Sequence, residues 1–417
     1  MKLKSILCCL LLVAMCLQLF ACSKEETVNP TANSDKSNTV SGTVDLMANV
    51  QPLAVQSQQV NQTYSESAAD FALNLLRTTY DGGNCVLSPY SVYTALAMCA
   101  NGADTETLAQ MESVLGMSAA ELNVFLYSVA QNTGEQLHSA NSVWFENADG
   151  FIPNADFLQA NADYYGADMF ASNFNEQTLK DINAWISEKT GGRIEKALDQ
   201  IGANVMMYLI NALSFDAKWD ALYHSGQIAD GVFHASDGDE TVQMMSGEEQ
   251  KYLSDKYATG FIKDYAGGQY SYVALMPNEG VSVEDYLATL NGEALTAMVQ
   301  NPEKITVFTT MPKYEISYQT ELNDALSAMG MPEAFTDNAD FTRMSNLDLK
   351  ISRVLHQTQL TVDELGTQAG AMTIVEMDTK GIALNSRTVV LDRPFVMGIF
   401  DNVNNTFVFM GVIESVN

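Results

Sequence analysis

The chain is poor in basic residues, in histidine and in cysteine. Lysine and arginine number 21 against 51 aspartates and glutamates in 417 residues, a formal net charge of −30. Phosphate and sulfate recognition needs clustered cations, so this balance argues against nucleic acid, heparin-like polyanions and anionic membrane surfaces as partners. The four histidines, His138, His224, His234 and His356, form no paired H-E-x-x-H motif. There is no G-x-S-x-G, P-loop or G-x-G-x-x-G, so no motif brings a nucleophile to its base or cradles a phosphate. Asp237-Gly238-Asp239-Glu240 lacks the EF-hand spacing and reads as a polar hairpin tip. No metal and no cofactor are expected. Beyond residue 22 the only cysteines are Cys85 and Cys99. Between them Ser88-Pro89 supplies an N-cap and a first-turn proline, and Gly102 a stop. A largely helical interval separates the two by about 20 Å, too far for a disulfide. Both are expected as small buried apolar residues.

What the chain does contain is ample core material, 47% hydrophobic and 9% aromatic, which argues against global disorder. At its start Lys2 and Lys4 precede an apolar run over residues 6–20, shorter than the roughly 20 residues of a spanning helix and of the form of a secretory signal. The quartet Leu19-Phe20-Ala21-Cys22 resembles a bacterial lipobox, which would make Cys22 the lipidated first residue of the mature chain. Ser23-Lys24-Glu25-Glu26 resembles the acidic surface-export signal of some Bacteroidetes lipoproteins. The expectation is that residues 1–21 are removed and that residues 22–62, rich in Ser, Thr, Asn and Gln, form a flexible tether. Membrane contact would run only through the lipid, which needs more than one acyl chain for a stable hold. The protein would then be lipid-anchored in a bacterial outer membrane and exposed at the surface.

From about residue 63 the pattern becomes globular. Ser67-Ala68-Ala69-Asp70 reads as a weak capping box opening a helix. Further helices are expected over 88–101 and 104–115, a strand over 141–145, and helices over 156–165 and 179–198, with turns at Gly166 and Gly191-Gly192. Beyond residue 203 strands dominate. Residues 205–215 are nearly all apolar and predict a central strand buried on both faces. Strands are also expected at 242–245, 270–276, 304–310, 314–317, 388–391, 395–400 and 407–413, with an amphipathic helix over 321–329. There is no internal repeat and no interior linker. A helical front followed by strands suggests one large α+β domain, residues 63–417.

The stretch 361–381 fits two states. Gly366 opens a run of small residues, Thr367-Gln368-Ala369-Gly370-Ala371, that reads first as an exposed loop. Yet it lacks proline, carries little charge, and continues into strand-favouring Thr373-Ile374-Val375. Alternate positions from Thr367 could all face a core, while Gln368, Gly370 and Met372 would face outward.

Leu355-His356 followed by the run 360–371 resembles the last strand and hinge of a serpin. Asn84-Cys85-Val86-Leu87-Ser88-Pro89-Tyr90-Ser91 is similar to the start of that family's second helix, and Asn211-Ala212-Leu213-Ser214-Phe215 with Lys218-Trp219 to the end of a main-sheet strand. Phe233, Val242, Met244 and Met245, then Met311-Pro312-Lys313, Arg393-Pro394-Phe395 and Phe409-Met410-Gly411, follow in family order. The resemblance implies helices packed around three β-sheets, with an exposed reactive-centre loop at about residues 364–387. It assigns Ser88, Ser91 and His356 to a polar shutter under the main sheet. It places Glu364, Lys218 and Trp219 at the breach where the loop enters, and makes Gly366, Thr367, Gln368, Ala369, Gly370, Ala371 and Met372 the hinge. Leu365 and Gln368 stand where charged residues are usual, and Met372 is larger than usual.

What the resemblance implies is inhibition of serine endopeptidases rather than enzyme activity. The protease attacks the loop and forms an acyl-enzyme ester. Cleavage then frees the hinge side to enter the sheet as a new strand. About 14 inserted residues gain ladder bonds on both flanks, on the order of 10 kcal/mol at a net 0.5–1.5 kcal/mol per bond. The strand spans roughly 45 Å, so the tethered protease is dragged and distorted before the ester hydrolyses. In the family register the scissile bond is Lys380–Gly381, and lysine suits the Asp-floored pocket of trypsin-like proteases. Met377 and Val375 offer secondary bonds to chymotrypsin-like and elastase-like enzymes. A monomer that meets target proteases and no nucleic acid is expected. The alternatives are a non-inhibitory binding module on the same fold and a surface carbohydrate-binding lipoprotein.

Overall fold

The computed structural model describes residues 42–194, 196–367 and 385–417. At its centre is Met207–Phe215, buried at every position. Leu137–Glu146 pairs antiparallel to it on one side, and Arg353–Val362 parallel to it on the other. Asp168–Ser172 extends the sheet beyond Leu137–Glu146, and Tyr314–Glu321 extends it beyond Arg353–Val362. Apart from Asn211 and Ser214 the central strand is apolar, because both of its faces are covered. Met207 and Leu209 join the core around helix Pro89–Ala100, and Leu213 and Phe215 join the core of the second sheet. Tyr208, Ile210 and Ala212 face the other way, onto Ile182, Trp185 and Ile186 of helix Glu176–Lys189.

The second sheet is organised by the long strand Gly238–Ser254. Its first part pairs with Ile228–Ala235 and its middle with Glu303–Pro312, which carries Ser386–Val390 on its outer side. Its last residues, Tyr252–Ser254, pass the ladder to Ala258–Asp264. From there it runs through Tyr270–Pro277, Phe395–Asp401 and Thr406–Ile413 to Cys85–Leu87. The fold is α+β, as expected. Where three sheets were anticipated, the described residues form two hydrogen-bonded ladders, because Tyr252–Ser254 joins the second and third.

Local readings differ from the structure where capping was misjudged. The first helix is Gln62–Thr79, opened by Asn61, whose side chain accepts from the Thr63 N–H. The expected box at residues 67–70 lies inside it, and Asp70 instead accepts from the Gly292 N–H at 2.5 Å. Helix Ala119–Gln131 was not anticipated, although Ser118 and Glu121 cap it reciprocally. The expected helix over 179–198 is Glu176–Lys189, and the break expected at Gly191-Gly192 is present, at φ +62° and +79°, but no helix resumes over 193–198 among the described residues. Cys85 and Cys99 are free and buried, and burial pushes both thiols up to about 12.

The expected tether requires correction at its distal end. Val44–Asp45 adds a short antiparallel strand to Asp168–Ser172. Beyond it the Leu53 N–H donates to Asp163 Oδ1 at 2.6 Å and the Gln58 N–H to Ser128 Oγ at 2.9 Å. Residues 44–58 are thus held along the flank of the domain by backbone hydrogen bonds, which a polar composition neither requires nor forbids. Cys22 lies outside the described residues.

Candidate functional site

Two strands meet at the centre of the first sheet, and their seam changes along its length. Arg353–Thr358 pairs directly with Tyr208–Leu213. Beyond Thr358 the chain runs on to Val362 and reverses. Asp363 Oδ1 accepts from the Leu365 N–H at 2.8 Å and the Gly366 N–H at 3.1 Å, and the Asp363 N–H donates to Gly366 O at 3.0 Å. The tight turn returns Gly366–Thr367 antiparallel into the sheet. Thr367 stands opposite Val362 on one side and Ala217 on the other, with Gly366 opposite Lys218. Gly366 has φ +155°, and a Cβ there would sit 2.0 Å from Ala217 O. Only glycine fits.

Beneath this turn is an aromatic floor. The Trp219 indole N–H donates to Asp363 O at 2.8 Å and its backbone N–H to Leu365 O at 2.9 Å, while the Tyr223 N–H donates to Glu364 O at 3.0 Å. Trp219 stacks on Tyr265 with centroids 4.5 Å apart. Lys263 Nζ lies 4.4 Å from the Tyr223 ring centre and donates to Glu249 at 2.7 Å and to Ala221 O at 3.0 Å. Burial pushes the Glu249 carboxyl above its ordinary value despite the Lys263 ammonium. Glu364 pairs with Lys313 at 2.6 Å, and the hydrogen bond from Lys313 holds its carboxyl below its ordinary value. Lys218 takes part through its backbone, its side chain facing solvent.

Under the closed part of the seam lies a buried polar cluster. His356 Nε2 accepts from the Ser88 N–H at 3.0 Å, and Nδ1–H donates to Asn211 Oδ1 at 2.8 Å. Asn211 Nδ2 donates to Ser91 Oγ and, at 2.5 Å, to Asn141 Oδ1. Ser88 also caps helix Pro89–Ala100 through the Ser91 N–H. Burial lowers the His356 imidazole to about 3, so it is neutral near pH 7. The cluster reaches across the seam, since His356 and Asn211 are register partners on the two strands.

The structure therefore brings Ser88, Ser91 and His356 into one cluster, and Glu364, Gly366, Thr367, Lys218 and Trp219 into another. Gln368, Ala369, Gly370, Ala371, Met372, Lys380 and Gly381 lie outside the described residues. Sequence reasoning missed Asn211 and Asn141 in the first cluster and Lys313 and Tyr265 in the second. Asn211 did carry a signal, as an amide in a central strand whose only other polar residue is Ser214.

The family model for serpins, serine protease inhibitors, matches residues 66–416. The chain belongs to the serpin family. Among related serpins, the leukocyte elastase inhibitor of Bos taurus is 27% identical over 387 residues, covering 86% of this chain and 100% of its own. The human plasma serine protease inhibitor is 28% identical over 381 residues, covering 86% and 92%. The crystal structure of the thermophilic serpin tengpin in its native state is 40% identical, with a TM-score of 0.86 over 89% of this chain and 99% of that one. Tengpin in its latent state matches at 39% identity with a TM-score of 0.76, over 87% and 100%. This serpin is more similar in structure to the native form than to the latent one.

Proposed function

We propose that this serpin inhibits serine endopeptidases as a suicide substrate, with trypsin-like enzymes preferred. The observation that carries the reading is the placement of Gly366–Thr367. They occupy the first rungs of a new antiparallel strand, directly above a seam whose two strands are still paired with each other. A loop cut beyond the hinge has its place in the sheet already begun. Attack at Lys380–Gly381 leaves the protease esterified to Lys380, and growth of the strand from Thr367 carries it away before deacylation. Relatives named as protease inhibitors support the same reading. Anchorage through Cys22 would hold this inhibitor at the cell surface, and incorporation of labelled fatty acid that is lost in Cys22→Ser checks it.

Mixing the protein with trypsin is the test. The expected result is a covalent complex that survives denaturation, with mass spectrometry placing the cut after Lys380. Cleavage with full protease turnover and no complex at any molar ratio would refute it and favour a non-inhibitory module.

A further inference from the structure

Tyr265 follows strand Ala258–Asp264 and belongs to none of the groups that the sequence singled out. It is 1% exposed. Its ring is fixed from two sides, stacked on Trp219 at an interplanar angle of 15° and edge-on to Phe215 with centroids 5.0 Å apart. A ring held this way has one place to put its oxygen. That oxygen lies 2.6 Å from Thr367 Oγ1, and Thr367 is itself 1% exposed. The bond links the floor of the breach to the hinge residue that stands between Val362 and Ala217.

Adding a strand to a sheet is hardest at its start, where a turn must close and a first rung must form before further rungs follow. Here the turn at Asp363–Gly366 is closed and the Thr367 rung is in place. Register matters equally, because a slip of one residue moves every side chain to the opposite face. In an inserted strand that kept Thr367 inward, the sequence alternation would turn Ala369 and Ala371 inward and Gln368 outward. A slip would bury Gln368.

We propose that Tyr265 is a positioning residue for loop insertion. Its hydroxyl holds Thr367 in the sheet of the uncleaved molecule, so that residues 363–367 form a preformed, register-setting start for the incoming strand. The proposal rests on the inhibitory reading above.

The test uses full-length Tyr265→Phe, which keeps ring, stack and volume, together with Thr367→Val, the double variant and Thr367→Ser. In the uncleaved protein, hydrogen exchange is followed by mass spectrometry over residues 360–367. Tyr265→Phe and Thr367→Val should each speed exchange about two- to tenfold, the range expected for one net hydrogen bond. The double variant should be no faster than either single one, and Thr367→Ser should match the parent. With trypsin, the moles of inhibitor consumed per mole of protease trapped should rise by about the same factor in Tyr265→Phe and return to the parent value in Thr367→Ser. Should Tyr265→Phe fail to fold, Thr367→Val carries the test from the other partner. Unchanged exchange would show that the hydroxyl does not hold the hinge, and faster exchange with unchanged stoichiometry would show that it holds it without consequence. Either outcome overturns this proposal while leaving inhibition intact. A parent that is cleaved without trapping any protease overturns both readings.

Discussion

At one end of the central seam, Arg353–Thr358 and Tyr208–Leu213 pair rung for rung over buried His356 and Asn211. At the other end the same strand has left its neighbour, and Gly366–Thr367 stands in the opening over a floor of Trp219 and Tyr265. The closed end is held by neutral hydrogen bonds: backbone rungs plus one imidazole–amide bond that crosses the seam. The open end adds aromatic packing and a tight turn to its hydrogen bonds from Trp219 and Tyr223 and with Tyr265. The difference is physical as well as positional. Hydrogen bonds across a seam are exchangeable, because an incoming strand can offer new backbone partners on each side. Packed rings and a glycine held close to Ala217 O are not, so under the proposed insertion they suit an end that stays in place while the other opens.

The largest effect should come from disturbing the open end at its first rung. Thr367→Arg puts a guanidinium at a position that is 1% exposed, and burying an unpaired charge costs several kcal/mol. The hinge is then expelled rather than started. Complex formation with trypsin should fall by more than about tenfold, while loop cleavage persists, so that gel analysis shows cleaved inhibitor in place of the covalent band. Undiminished trapping would mean that insertion does not begin at Thr367.

The closed end should respond to pH. His356 has its imidazole lowered to about 3 by burial, against an ordinary value near 6.5. As pH falls below about 6.5, the unfolded chain takes up a proton that the folded one refuses, so stability is lost progressively down to pH about 3. The slope is about half of 1.4 kcal/mol per pH unit at pH 6.5 and approaches about 1.4 below it, which gives roughly 1.6 kcal/mol between pH 6.5 and 5. Thermal midpoints at pH 7 and pH 5 should therefore separate in the parent. They should separate less in His356→Gln, whose midpoint at pH 7 is itself lowered by the buried groups left without partners, at about 1–3 kcal/mol each. Equal pH dependence in both proteins would remove His356 from this account.

Much of this contrast was legible in the sequence, and unevenly so. Residues 205–215 announced a doubly covered strand because nearly unbroken apolar runs have few other uses. Of the small-residue run read as able to enter a sheet, Gly366 and Thr367 stand in one, and the remainder lies outside the described residues. The place of His356 beside Ser88 and Ser91 under the main sheet followed from the family resemblance. What stayed hidden depends on distant pairing. Nothing in the neighbourhood of Lys313 points to Glu364, 51 positions on by sequence number, and nothing near Tyr265 points to Thr367. Residues 44–58 look like a linker by composition, yet they dock through main-chain donors to Asp163 and Ser128. Helix Ala119–Gln131 is different: its Ser118–Glu121 box was there to be read.

The smallest effect should come from the ion pair beside the open end. Lys313 and Glu364 have side chains 21% and 31% exposed, so solvent screens their attraction and the pair is worth at most about 1 kcal/mol. The lowered Glu364 carboxyl contributes its stability above the ordinary carboxylate range and loses it as pH falls through its own lower value. Lys313→Met, which keeps the apolar stem, should lower the thermal midpoint only slightly at pH 7, and the difference from the parent should shrink in high salt and vanish at low pH. Lys263, whose side chain is 3% exposed against Glu249 at 13%, provides the contrast. Lys263→Met leaves a buried carboxylate without its cation and should cost about 3–5 kcal/mol. If Lys313→Met instead approaches that larger loss, and salt does not reduce it, the pair is a lock on the turn at Asp363–Gly366 rather than a surface contact. The open end would then be held by charge as well as by packing.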